Sequence, residues 1–394
     1  MIKPLPNVIY KQLNPVYQYG EDPGKRVLII GVTQKPVEDK VFDSNTPMNN
    51  TFSNEELVRM FLADDYNFNE MYYYQPYSIN SLKQADKIFG EGSRVYNMTE
   101  DLYEMIGAVR VYGMNIYLDN LNLDDEENDI SRLMSTLEHI DFDYILLDSS
   151  IRIETHFNLF DEFTDLAYLK ENQGRLVHMI SLSKIDSRNK DVVFNNIEKL
   201  KKVYRGQVHE TGKYVTVVNA QLMEYESHIY YTAFLLSQND AQSPVNKTLL
   251  DKLTLNNELT LSDEKQYNNA GVVILKDSFH RGVIFANATA AVAGEESIHK
   301  SFPNFKIVSA FIRELYNKFD PFIGKTMKMF MNFHFMNIIE NTEQKFIELE
   351  YIRGIDYEFT IDETIGVVFL NLYIVPIFTT DEIQVSTRIE VTVS

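Results

Sequence analysis

Short apolar runs bounded by polar turns recur over the first 240 residues and alternate with segments of helical period. Arg26–Gly31 (RVLIIG) reads as a buried strand ending in glycine, and Ala108–Leu118, Tyr144–Leu147, Val177–Ser181 and Tyr214–Asn219 read as further strands. Ser53 and Glu56 form a capping box (Ser-x-x-Glu) for a helix through Phe61. Helical spacing returns at Ile130–His139, Val192–Tyr204 and Tyr225–Leu236, while Asp64–Ser81 is a polar stretch rich in Asn and Tyr. Strands that alternate with helices predict an α/β domain on a largely parallel sheet.

Both ends of the chain look different from this body. Residues 1–24 are punctuated by Pro4, Pro6, Pro15 and Pro23, which predicts an extended arm whose strand-like stretch is Val8, Ile9 and Tyr10. In the second half, Val272–Leu275 and Val283–Ala288 read as strands. Lys306–Phe319 reads as a helix stopped by Pro321, Lys325–Ile339 as a second helix rich in Met and Phe, and the chain from Phe346 onward as β. The last twelve residues alternate without a break, with Ile383, Val385, Thr387, Ile389, Val391 and Val393 on one face. At ~3.4 Å per residue this strand reaches about 40 Å. Its open edge and apolar face need a partner. Either it closes the sheet of its own domain or it adds to a neighbour's sheet. Two exchangeable arms on one body would give an open assembly, because heterologous contacts that do not close build helices.

The predicted fold class is therefore α/β (α+β). An extended amino-terminal arm (1–24) leads into an α/β body (25–240), a carboxyl-terminal α+β domain (241–380) and a carboxyl-terminal strand-donating arm (381–394). Thr379-Thr380-Asp381, polar and placed after a buried run, is the expected hinge of that last arm.

Composition narrows the chemistry. The 394 residues include no cysteine and no tryptophan, which removes disulfides, thiol nucleophiles and cysteine-based metal sites. The formal charge of −20 argues against wholesale binding to nucleic acid or anionic membrane, and leaves room for a local basic patch. There is no apolar signal segment at the start, and the longest apolar stretch, Ile365–Phe378, falls short of the ~20 residues of a spanning helix. The pool of 25 Phe and 24 Tyr suits large surfaces that are buried in some states and wet in others.

The motifs that resemble catalytic signatures are incomplete. No two of the eight histidines stand at metal-ligand spacing. Gly324-Lys325-Thr326 lacks the first glycine of a phosphate loop, since Phe319 stands there, and Gly90-Glu91-Gly92 lacks a preceding strand. The acidic loop Asp119–Asp129 lacks the glycine and terminal Glu of a calcium loop. Asp148, at the carboxyl end of Tyr144–Leu147, could face a ligand crevice or simply close a strand-end turn. No cofactor, no metal and no catalytic residue is expected.

The order of segments resembles the contractile tail sheath proteins of bacteriophages, phage-tail-like bacteriocins and related injection machines. The likeness is carried by RVLIIGVT (26–33), Ser53–Leu57 with Met60-Phe61, Gly107–Tyr112, LEHIDFDYILL (137–147), Tyr214–Asn219, Ser243–Leu250, LTLSDEKQYNNAG (259–271), RGVIFANATA (281–290) and Lys306–Lys325 ending in Phe322-Ile323-Gly324-Lys325. The family's usual glycine after Phe61 is Leu62 here. The resemblance implies a structural, non-enzymatic subunit. It would self-associate into a helical sheath around an inner tail tube, meet baseplate and terminator proteins, and contract to drive the tube through a cell envelope. It would do so in the virion, after assembly in the host cytoplasm and without binding nucleic acid or inserting into a membrane. It further implies that Ile383, Val385, Ile389, Val391, Val393 and the weaker Val8, Ile9 and Tyr10 are exchanged between subunits, and that Lys325 and Lys328 supply a basic contact to the tube. Lys199, Lys201, Lys202 and Arg205 form a second basic cluster, expected to be a solvated helix face. The competing readings are another tail or baseplate component and an α/β enzyme binding a nucleotide or metal near Asp148.

Overall fold

The computed structural model describes residues 26–33, 74–107, 111–117, 129–139, 142–171, 175–204, 206–237, 248–250, 252–256, 259–278, 281–294, 300–322, 334–362 and 367–377. In chain order the first part runs β1 (Val27–Thr33), β2 (Tyr77–Ile79), α1 (Leu82–Phe89), α2 (Arg94–Ile106), β3 (Val111–Tyr117), α3 (Asp129–Glu138) and β4 (Tyr144–Leu147). It continues through α4 (Phe157–Glu171), β5 (His178–Ser183), α5 (Lys190–Lys199), β6 (Lys202–Tyr204), β7 (Gln207–His209), β8 (Val215–Asn219), α6 (Ser227–Ser237), α7 (Leu261–Ala270) and β9 (Val272–Val273). β10 (Leu275–Ser278), β11 (Gly282–Phe285), α8 (Phe302–Phe319), α9 (Phe335–Glu348), β12 (Ile352–Asp362) and β13 (Val367–Pro376) complete it.

The central sheet has the order β2-β3-β1-β4-β5-β8-β9, parallel throughout except for β2 at the edge. Helices cover both of its faces, which explains why its strands are continuous apolar runs rather than alternating ones. Leu28 and Ile30 of β1 point into one core with Leu133 of α3, Phe160 and Phe163 of α4, Val193 of α5 and Tyr267 of α7. Val27 and Ile29 point the other way, into a second core with Val95, Met98 and Leu102 of α2 and Ile229 to Leu236 of α6. The α/β class read from the sequence is the one observed.

A third core lies beyond the sheet. Ile307, Phe311 and Leu315 of α8 meet Phe335, Ile339 and Phe346 of α9, with Ile352 at the start of β12. β12 and β13 form a separate two-stranded antiparallel sheet, with Ile355 opposite Ile374 and Tyr357 opposite Leu372. Those four side chains pack against the α8–α9 pair. α8 is the link: its first residue, Phe302, belongs to the second core, while Phe305 and Ile312 pack against the first.

Two sequence expectations are corrected. The helix expected over Val192–Tyr204 is cut at Lys199, and the chain turns into the β6–β7 hairpin, so Lys201 and Lys202 do not sit on a helix face. Leu200, Val203 and Tyr204 keep helical spacing, but Lys202 and Tyr204 are captured by Asp161 and Asp165 of α4. The chain also does not become β at Phe346. α9 runs on to Glu348, because Phe335, Ile339, Thr342 and Phe346 form one buried helical stripe against α8, with the Phe311 and Phe346 rings 5.0 Å apart.

Close approach of backbones sets one strong local requirement. A Cβ on Gly212 would lie 1.9 Å from the Ala291 carbonyl oxygen, in a turn that donates its Gly212 amide to Leu200 O at 3.0 Å. Gly212→Ala is expected to cost about 1–3 kcal/mol by overpacking against rigid backbone. A urea midpoint unchanged from the parent would contradict that.

Candidate functional site

The carboxyl ends of β1 and β4 are where an open α/β sheet with this strand order offers a ligand crevice. Here the crevice is filled by the protein's own charges. Asp148, 2% exposed, accepts four hydrogen bonds. Its Oδ2 receives the Val32 amide at 3.2 Å and Arg94 Nε at 2.8 Å, and its Oδ1 receives the Ser150 amide at 2.8 Å and Ser150 Oγ at 2.9 Å. That exhausts the acceptor sites of a carboxylate. Arg94 enters from the first turn of α2, whose Ser93 side chain caps it by accepting from the Tyr96 amide. Its Nη2 lies 2.8 Å and 2.9 Å from the two carboxylate oxygens of Glu226 and 2.9 Å from Ser149 Oγ, which in turn donates to Glu226 at 2.8 Å.

His228 sits beneath this cluster. Its Nε2 donates to Leu147 O at 2.8 Å, since a carbonyl can only accept, and burial holds its imidazole below the ordinary value despite Glu226 nearby. Asp148 therefore closes a strand-end turn, with the Ile151 amide on its carbonyl at 2.9 Å. Among the described residues no group of three or more His, Asp or Glu side chains is placed to hold a metal. No helix among them is long and apolar enough to cross a membrane.

A second ionic centre joins the sheet to α8. Asp143 is buried just before β4 and takes the Arg26 amide and Arg26 Nε on Oδ2, both at 3.0 Å, and Arg313 Nη2 on Oδ1 at 2.8 Å. Burial alone would raise its pKa; the charges of Arg313 and Arg26 and the Arg26 hydrogen bonds override it and hold the carboxyl below 3.8. Sequence reading missed this centre. The local signal was a polar residue before an apolar run, which is unspecific.

The surfaces suited to assembly lie elsewhere. The β12–β13 ladder spans Ile352–Pro376, and it is a two-stranded sheet among the described residues, so each strand keeps an outer edge. Tyr373 and Val375 are exposed on the side away from α8 and α9. The residues expected to carry strand exchange and tube contact, namely Val8, Ile9, Tyr10, Lys325, Lys328, Ile383, Val385, Ile389, Val391 and Val393, lie outside the described residues. So do the Ser53–Phe61 helix and the hinge 379–381.

The fold is a doubly wound α/β body continued by a small α+β unit. No family model and no curated protein sequence matches the chain. Solved structures do match in fold along nearly the whole length. A chain of the anti-feeding prophage (AFP) helical sheath in its contracted state aligns over 94% of both chains at TM-score 0.59 and 9% identity. A chain of the PVC sheath complex, an extracellular contractile injection system in its contracted state, aligns over 94% of this chain and 92% of its own at TM-score 0.60 and 9% identity. A sheath tail protein from Listeria innocua aligns over 94% and 96% at TM-score 0.54 and 9% identity. The chain thus has the fold of contractile sheath subunits.

Proposed function

We propose that the chain is the repeating structural subunit of a contractile tail sheath, polymerising helically around an inner tail tube and shortening to drive that tube through a target envelope. The observation that carries this reading is the fold likeness over 94% of the chain to sheath subunits of two injection systems. It is supported by the filled crevice around Asp148, where the carboxylate has no lone pair left for a substrate or metal. The subunit is not an enzyme in this reading. Contraction draws on surface buried between subunits, because burial free energy scales with area.

In this reading the arms 1–24 and 381–394 are the exchanged elements, and the open edges of β12 and β13 are their acceptor. An added strand with Ile383, Val385, Ile389 and Val391 on one face continues the apolar row of Ile355, Tyr357, Leu372 and Ile374. Val8, Ile9 and Tyr10 serve the other edge. Lys325 and Lys328 supply the basic contact to the tube. The tube, baseplate and terminator are the hetero-partners, and the particle is a phage tail or a related extracellular injection machine assembled in the host cytoplasm.

Purified full-length protein is expected to form long tubes by negative-stain microscopy, and deletion of 382–394 to leave folded, unpolymerised subunits. Monomer at high concentration from the intact chain overturns the proposal. A second reading, a sheath-like ring at the baseplate, is favoured by the alignment to a chain of the AFP baseplate over 95% of this chain at TM-score 0.60. It predicts short closed rings in place of tubes.

A further inference from the structure

The β6–β7 hairpin gives one face to its own subunit and leaves the other to solvent. Its two strands have three residues each, with Lys202 opposite His209, Val203 opposite Val208 and Tyr204 opposite Gln207. Two-stranded ribbons of this size do not stand alone in water. One face is therefore bolted to α4. Lys202 bridges Asp161 at 2.9 Å and Asp165 at 2.7 Å, and Tyr204 Oη donates to Asp165. The Tyr204 ring stacks on Tyr168 at 4.0 Å with the planes parallel, and His209 meets both rings edge-on.

The other face carries only the Val203–Val208 pair, 67% and 68% exposed. An apolar pair left this exposed returns little burial free energy to the fold beyond its own cross-strand contact, and rigid presentation of an apolar pair is what a contact surface requires. The hairpin also carries local positive charge in an acidic chain: from Lys199 to Lys213 five Lys and Arg stand against the single Glu210, and while Lys202 and Lys213 are engaged by Asp161, Asp165 and Glu171 of α4, Lys199 and Lys201 are exposed.

The complementary surface lies on the opposite side of the molecule. α4 packs on the face of the sheet marked by Leu28 and Ile30, α2 on the face marked by Val27 and Ile29. On that second side Glu100, Asp101 and Glu104 of α2 adjoin Glu224 and Glu226, the segments being tied by Tyr225 Oη donating to Glu104 at 3.2 Å. Burial, then Glu226, Glu104 and Glu100, raises the Asp101 carboxyl to about 6, while Arg94, which opposes the rise, is shared between Asp148 and Glu226. Met223, which precedes Glu224 in the chain, is 63% exposed.

We infer that the valine-tipped basic hairpin β6–β7 of one subunit docks on the acidic α2–Met223 face of a second copy of this chain. The two surfaces lie on opposite layers of one body, so the contact is heterologous and repeats head to tail, as a ring where the rotation closes and as a helix where it does not. It would work alongside arm exchange, as a body-to-body contact. The inference rests on the reading of the chain as a polymerising subunit, and its test is separable from that reading.

Because the chain has no cysteine, Val208→Cys and Met223→Cys each introduce a single thiol. The two full-length variants, mixed and mildly oxidised, are expected to give a 208–223 dimer as the main product, and high salt to reduce its yield. Lys201→Glu and Glu104→Lys, both at exposed positions, are each expected to raise the concentration needed for assembly at least about tenfold, roughly the weight of 1.4 kcal/mol. The double variant in every copy restores the contact with its charges reversed. Tubes that form without any 208–223 product overturn the inference and leave the sheath reading standing. The 208–223 product without tubes upholds the contact and overturns the sheath reading. Products that are only 208–208 or 223–223 dimers overturn the inference.

Discussion

Asp143→Asn is expected to remove about 3–5 kcal/mol of subunit stability, the range for breaking a buried ion pair from one side. The amide keeps the shape but leaves Arg26 and Arg313 pointing at a neutral group. Three parts of the molecule lose their common anchor at once: the start of β1, the entry to β4 and the middle of α8. Equilibrium urea unfolding measures the loss, and a change below about 1 kcal/mol would contradict the role assigned to Asp143. The sign with pH follows from a folded carboxyl held below 3.8. Its stabilisation is complete above pH 3.8, where the unfolded carboxyl is also ionised, and disappears as pH falls through the folded value. Parent and variant curves therefore converge only in strong acid. If residues 1–24 are the exchanged arm proposed above, Arg26 follows it directly in the chain, and the variant is also expected to assemble poorly at temperatures where it remains folded.

Acid sensitivity between pH 6.5 and 3 is expected to come from a different group. His178 is buried on β5, with Nε2 2.7 Å from Thr216 Oγ1 and its ring 4.5 Å and 5.0 Å from those of Phe302 and Phe305. Burial lowers its pKa from 6.5 to about 3. The unfolded chain takes up this proton below pH 6.5 and the folded chain does not, so stability falls with pH by about 1.4 kcal/mol per unit across that window. His228, also lowered by burial, acts in the same direction. Asp101 opposes them: raised to about 6 in the folded state, it binds its proton before the unfolded chain does, and adds stability as pH falls from 6 toward 3.8. His178→Phe keeps the aromatic packing and is expected to flatten the pH–stability slope by one proton. Urea unfolding at a series of pH values reads this directly, and an unchanged slope would count against His178 as its source.

How much of this was legible in the chain depends on the range of the forces involved. β1 and β4 were readable because a strand covered on both faces must be apolar throughout, and Val27–Ile30 and Tyr144–Leu147 are. α8 was readable because one side of it is buried and Pro321 follows it. α2 carries a proper helical stripe in Val95, Met98, Leu102 and Met105 behind the Ser93 cap, and was overlooked because the segment is rich in polar residues and tyrosine. α4 was overlooked for the opposite reason: Phe160, Phe163, Leu166 and Ala167 spread its buried side so widely that the period is blurred. The β6–β7 hairpin was not readable at all, since Asp161, Asp165 and Tyr168 hold it from about forty residues upstream.

By itself the sequence determined the alternation of strands and helices, the α/β class, the absence of thiol chemistry and the acidic balance. These follow from local periodicity and from counting, which need no knowledge of what lies across the molecule. Tertiary structure alone decided that Asp148 is saturated by Val32, Arg94 and Ser150, and that Asp143 gathers partners 117 and 170 residues away. It alone decided that the basic hairpin and the acidic α2 face lie on opposite layers. Electrostatic and packing partners are chosen by distance in space, and the folded path of the chain sets that distance.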